Sequence, residues 1–311
     1  MILALILTVL IGLLIWNVVH TFMEMKSVKS IGYGKKVPVK KYNMCVNIIG
    51  EKNEIPIIIL PGATSVAPVF EFKPLAEAFS SQYKVITVEP FGYGDSDVVK
   101  EERTLDNIVS DLHDCMEQLE LKKYYIMGHS MSGIYSLAYA NKYPEEVLGF
   151  IGIDASVPGI EETSSIGHSK AIKIYLYLMK LLNILGFKRF LLNLDPRSLI
   201  LLDPNYVYTE RELEIIKTLD IDKSCNATIM NFADHLDEMI ASVHDMTFPE
   251  QIPVLNFISS ENIQTVKNWE ELHKQVVKER EHSELVILEG RHHLHLDNKD
   301  KIVEKVKEWI I

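Results

Sequence analysis

The stretch Tyr124-Tyr-Ile-Met-Gly-His-Ser-Met-Ser-Gly133 decides how this 311-residue chain is read. An apolar, β-prone run enters Gly-His-Ser-Met-Ser-Gly and leaves as an amphipathic helix ending at Tyr143-Pro144. At so sharp a strand-to-helix turn the apex residue is held in a strained backbone conformation. Its side chain then stands clear of the sheet, beside the helix N-terminus. The flanking positions must be small, because strand and helix backbones pass within contact distance. Gly128 and Ser132 occupy them, with Gly133 next, and Ser130 is the apex.

Outward from this turn the chain alternates. Lys40 to Ile49 and Ile55 to Thr64 read as strands, the second ending in a Pro-Gly turn, and a helix through Leu75 to Phe79 precedes the buried run Tyr83 to Glu89. Between Thr104 and Leu119, the residues Leu105, Ile108, Val109, Leu112, Met116 and Leu119 recur at helical spacing behind a threonine cap. With Val147 to Asp154 as the next strand the order is β-α-β-α-β, which predicts a mainly parallel sheet. From about Pro158 to Met246 helices replace the alternation, among them the apolar Ala171 to Leu185. Strand Pro253 to Ile258, helix Asn268 to Lys278, strand Leu285 to Leu288 and helix Lys299 to Ile310 then complete the chain. Ligands of such sheets bind beyond the carboxyl ends of the strands, where the helical segment would form a roof.

Composition narrows the classes. Apolar residues make up 47%, with 15 Gly and 12 Pro, as in a globular protein without low-complexity tracts. A formal charge of −11 argues against a nucleic-acid partner, which requires a basic face to release counterions. Cys45, Cys115 and Cys225 are widely spaced and odd in number, so they are read as small core hydrophobes rather than a disulfide or metal framework. Ile2 to Val19 is apolar apart from Thr8, Gly12 and Asn17. No basic residue precedes it and no small-residue cleavage site follows, so the expectation is a retained single-pass anchor rather than a signal peptide. Lys26, Lys29, Lys35, Lys36, Lys40 and Lys41 follow, which by the positive-inside rule puts the body of the protein in the cytoplasm. The organisation expected is a transmembrane anchor at 1–23, a basic connector at 24–39, a core at 40–157 and 247–311, and a helical cap at 158–246.

The Gly-x-Ser-x-Gly-like turn, the element order and the inserted helices resemble the α/β-hydrolase superfamily over nearly everything after residue 40. The pattern departs only where Ser132 replaces the final glycine. The resemblance implies a doubly flanked, mainly parallel α/β sheet with Ser130 as nucleophile. It also implies a histidine in Glu289-Gly-Arg-His-His-Leu-His-Leu-Asp297, directly after the last strand. Registration with the family's G-x-H-x-x-H-L favours His292 as the base, with His293 as the alternative. The acid is open among three readings. Glu261 is favoured in the loop Ser259-Ser-Glu-Asn262, although strict registration puts Asn262 at that place; Asp154 ends the strand before the cap; or no acid is present. The oxyanion donors implied are the backbone N–H groups of Met131 and Ala63, the latter in the turn Pro61-Gly-Ala-Thr64.

Glu89-Pro-Phe-Gly-Tyr-Gly-Asp-Ser-Asp97 matches a glycine-rich landmark of the same family and is read as structural. His292, His293, His295 and Asp297 lie close in sequence but lack the helical H-E-x-x-H spacing, so neither metal nor organic cofactor is expected. His113, His168 and His235 are assigned no role. The resemblance implies an enzyme, a serine esterase, lipase or thioesterase acting on a small-molecule ester or acyl substrate. The cap stretch Ile172 to Leu182 and the expected anchor lean towards a lipid-like one. Amide, peptide or carbon–carbon bond hydrolysis, and a low-turnover ligand-binding protein, are the competing readings.

Overall fold

The computed structural model describes residues 1–28, 32–63, 65–160, 167–278 and 280–310. Thr64 of the expected oxyanion turn and the cap entry at 161–166 lie outside them. The chain opens with helix α1 (Ile2–Val28) and the antiparallel strands β1 (Lys35–Val39) and β2 (Tyr42–Ile49). Then come β3 (Pro56–Leu60), α2 (Pro68–Glu71), α3 (Lys73–Phe79), β4 (Lys84–Glu89), α4 (Leu105–Gln118), β5 (Tyr124–His129), α5 (Ser132–Lys142) and β6 (Val147–Ile153). The inserted segment holds α6 (His168–Ile184), α7 (Phe187–Leu194), a short turn of 3-10 helix, α8 (Glu210–Lys223) and α9 (Ala227–Ser242). The core resumes with β7 (Val254–Ser259), α10 (Ser260–Thr265), α11 (Trp269–Val277), β8 (Glu284–Leu288), α12 (Leu294–Asp297) and α13 (Lys299–Trp309).

The eight strands form one sheet in the order β1-β2-β4-β3-β5-β6-β7-β8. Only the β1–β2 and β2–β4 pairs are antiparallel; β3 to β8 run parallel in the remaining pairings. The central strand β3, Pro-Ile-Ile-Ile-Leu, is buried throughout, as a parallel strand covered on both faces must be. Its alternation builds two cores. Ile58 and Leu60 join Leu112, Met116 and Ile134 of α4 and α5, while Ile57 and Ile59 join Phe72, Leu75 and Val306 of the α3–α13 side. Burying each such isoleucine contributes about 1.5–3 kcal/mol. The same alternation along β5 puts Ile126 in the first core and Met127 in the second, so His129 continues the α3–α13 side.

Two expectations change. The stretch expected as a basic connector, 24–39, contains strand β1, because Val37 and Val39 are buried against the sheet while Lys35 and Lys36 face outward. The expected transmembrane anchor at 1–23 is not supported either: among the described residues no helix is long and apolar enough to cross a membrane. Helix α1 instead contacts the cap. The buried Asn17 donates to Asn183 O at 2.8 Å and accepts from Arg189 Nε at 2.8 Å, and Arg189 reaches Thr21 Oγ at 3.1 Å.

Candidate active site

The turn between β5 and α5 has the strain its sequence suggests. Ser130 sits at φ 53°, a left-handed conformation costly for a residue with a side chain. Its carbonyl is held by Gly133 N–H at 3.0 Å and Ser156 N–H at 2.8 Å. The small neighbours are explained by what they approach. A Cβ on Gly133 would lie 2.2 Å from Ser156 O, and one on Gly128 would lie 2.8 Å from Ser132 Oγ. Ser132 is accommodated in place of glycine because its hydroxyl has local acceptors, His129 O at 2.8 Å and Leu60 O at 3.1 Å.

His292 is carried to this turn by the loop after β8, with its ring centroid 4.8 Å from that of His129. The loop is closed by Asp297, whose carboxylate takes hydrogen bonds from Arg291 N (3.1 Å), Nε (3.1 Å) and Nη2 (2.6 Å). These charge-assisted contacts hold the Asp297 carboxyl below the usual carboxylate range. His293 is pushed down to about 4 by burial.

The carboxylate that meets the His292 ring is Asp154, with His292 Nδ1 2.8 Å from Asp154 Oδ2. Glu261, the favoured expectation, is exposed and its Oε2 accepts instead from the backbone N–H of His292 at 2.7 Å. The reason is local. Ser259 caps α10 through its side chain, and the new helix turns Glu261 outward while Asn262 points in. Asn262 Nδ2 donates to Asp154 Oδ2 at 2.8 Å, so the amide at the strictly registered position supports a carboxylate from the neighbouring strand. Asp154 follows β6 at φ 45° and is fully buried. It also accepts from Ser259 N (2.9 Å), Ser259 Oγ (2.7 Å) and Trp269 Nε1 (2.9 Å). Five donors around one carboxylate compensate for its removal from water. Asn262 stands at the strictly registered position but as a donor to the carboxylate; Ser259 and Trp269 had no assigned role in the sequence, a hydroxyl at the end of β7 and an indole at the start of α11 being the available signal.

The two backbone segments expected to supply oxyanion donors lie at the ends of β3 and β5. Met131 begins α5, and Ala63 follows Gly62, whose added Cβ would come within 3.0 Å of Ser130 Cβ. Tyr135 Oη donates to Pro61 O at 2.7 Å and Tyr93 Oη to Ala63 O at 3.0 Å, fixing the turn from both sides. A cleft of about 70 Å3 is lined by Ala63 and Ser65 and by Leu176, Met179, Leu202 and Ile229 of the inserted segment, together with the charged Glu71, Lys188, Asp220 and Lys223. The landmark Glu89–Asp97 is structural, as expected: Gly94, at φ 48°, packs on the buried Glu89 carboxylate, where a Cβ would fall 2.0 Å away.

A family model described as the alpha/beta hydrolase fold matches residues 55–171. The chain has the α/β-hydrolase fold. Uncharacterized protein YbdG of Bacillus subtilis is 26% identical over 99% of this chain and 94% of its own length. A proline iminopeptidase of Saccharolobus solfataricus is 27% identical over 76% of this chain and 79% of that protein. Among solved structures, a mutant epoxide hydrolase of Vigna radiata superposes with a TM-score of 0.68 at 16% identity, covering 89% of this chain and 98% of that one. In this α/β-hydrolase fold the described cap helices α6 to α9 enter immediately after the strand that carries Asp154, and the histidine loop follows the last strand.

Proposed function

We propose that the protein is a serine hydrolase that cleaves a carboxylic ester or thioester through an acyl-enzyme intermediate, with Ser130 as nucleophile, His292 as base and Asp154 rather than Glu261 as acid. The observation that carries this reading is the 2.8 Å contact between His292 Nδ1 and a buried, fully hydrogen-bonded carboxylate beside a left-handed serine. Asp154 fixes the tautomer with the proton on Nδ1, leaving Nε2 to take the Ser130 proton as Oγ attacks the carbonyl carbon. The oxyanion is received by the N–H groups of Ala63 and Met131. His292 then protonates the leaving oxygen or sulfur, and a water activated by the same nitrogen releases the acid and regenerates Ser130. Leu176, Met179, Leu202 and Ile229 along the cleft favour an acyl chain, lipid-like substrates included, while Lys188, Asp220 and Lys223 in the same lining would face a polar portion of the substrate.

Hydrolysis of short and long p-nitrophenyl esters by the wild type, Ser130→Ala and Asp154→Asn tests the assignment. Turnover by the wild type that both substitutions abolish supports it, and the chain-length preference reports what the cleft accepts. The similarity to a proline iminopeptidase favours amide cleavage as the second reading. Release of p-nitroaniline from aminoacyl anilides, with esters left intact, would establish that reading instead. Failure of a fluorophosphonate to label Ser130 would indicate a ligand-binding protein of the same fold.

A further inference from the structure

Behind the elbow, three side chains converge from three separate segments: Glu71 at the end of α2, His129 at the end of β5 and His295 in α12. One ligand atom from each lies within 4.8 Å of the other two. The residues are 6%, 3% and 1% exposed, so bulk water does not serve them. His295 Nε2 stands 3.0 Å from Glu71 Oε1. The His295 ring is stacked on Phe72, centroids 4.3 Å apart, which fixes its plane.

The hydrogen bonds leave a specific lone pair over. His129 Nε2 lies 3.2 Å from His292 O, a contact in which the nitrogen must carry the proton, so Nδ1 is the bare nitrogen. That Nδ1 is buried and has no hydrogen-bond partner. Gly62 stands in front of His129 Nδ1; a Cβ there would come within 2.9 Å of it, so the glycine preserves the space. A buried acceptor left without a donor is costly. An imidazole that donates its other N–H to a backbone carbonyl is also in the arrangement that orients metal-ligating histidines.

We propose that Glu71, His129 and His295 form a structural site for a divalent cation of the zinc class. Two imidazole nitrogens and a carboxylate oxygen are a donor set zinc accepts, with bonds of about 2.0–2.2 Å. Tetrahedral ligands at such bond lengths stand about 3.3 Å apart, so the Nε2–Oε1 separation needs little change to become one edge of the coordination shell. The cation would join the segment after the oxyanion turn, the nucleophile strand and the histidine loop at one point. This site is distinct from the His292, His293, His295 and Asp297 grouping weighed from the sequence: it takes only His295 from that loop.

The test uses the full chain, purified without chelator, with metal content read by plasma mass spectrometry and Co2+ binding by visible absorption. About one zinc per chain, or stoichiometric Co2+ uptake by the metal-free protein with a tetrahedral spectrum, is expected. Glu71→Gln and His295→Gln should each weaken binding more than about tenfold, whereas Ser130→Ala should bind as the wild type does. Chelation should lower Tm, and added Zn2+ should restore it. A folded wild type that neither contains metal nor takes up Zn2+ or Co2+ overturns the proposal without reliance on any variant. Uptake unchanged in both ligand variants overturns it as well, by placing the ion elsewhere.

Discussion

Asp154 and Glu261 both touch His292, but at different atoms, and this separates what their loss should do. Asp154 meets the ring and Glu261 the main chain. Asp154→Asn preserves shape but loses the charge that stabilises an imidazolium and favours the wrong tautomer; kcat should fall by about 10^3- to 10^4-fold. Glu261→Gln keeps an acceptor for the His292 N–H and should cost less than about tenfold, since a neutral oxygen replaces a charged one at an exposed hydrogen bond. Steady-state ester kinetics on the two variants decide the matter, and equal losses would return the acid role to debate. Ser130 was legible because its signal is local: ten consecutive residues prescribe a strand, a strained apex and a helix. The carboxylate that meets the His292 ring was not: Asp154 reaches it because β6 lies beside β5 and β7, a pairing that no stretch near Glu261 encodes, and because Ser259 starts the helix that turns Glu261 outward.

The elements around the turn are constrained by approach distances. Gly133→Ala would force a Cβ to 2.2 Å from Ser156 O, a backbone atom that cannot rotate away. Overpacking of this kind costs about 1–3 kcal/mol, and urea unfolding should show that loss. The histidine loop depends on the Arg291–Asp297 clamp. Because the folded pKa of Asp297 is depressed, its contribution is complete above the ordinary carboxylate range and disappears as pH falls through the depressed value. Asp297→Asn should therefore reproduce at neutral pH the loop loosening that the wild type shows only in acid, measured as faster amide hydrogen exchange over 290–297. Most elements were readable from periodicity; α4 begins behind the expected threonine cap, with Thr104 Oγ accepting from Asn107 N. Strand β1 escaped because its lysines mask a two-residue alternation of buried valines.

The whole molecule carries a pH dependence in a residue no sequence pattern marks. His273 on α11 is fully buried against Trp269, and burial pushes it down to about 4, despite the opposing pull of Asp154. Between about pH 6.5 and 4 the unfolded chain binds a proton there that the folded chain does not. Stability should rise with pH across that window, this group accounting for on the order of 3 kcal/mol. Urea titrations of the wild type and His273→Gln should diverge there; parallel curves would sink the assignment. Docking of α1 is a second property of the whole chain. Asn17→Ala removes both a donor to Asn183 O and an acceptor from the buried Arg189, and should cost about 1–3 kcal/mol, read as a lower urea midpoint.

The order of the parts has an evolutionary consequence. Ser130 and Asp154 end adjacent parallel strands and are separated by only one helix, whereas the cap helices lie wholly between Asp154 and β7. The proposed nucleophile and acid thus lie on one uninterrupted segment. Their registry would survive exchange of the intervening helices as a cassette, and only the histidine would have to find them again. Such an arrangement would let specificity diversify by recombination without disturbing the registry of Ser130 and Asp154.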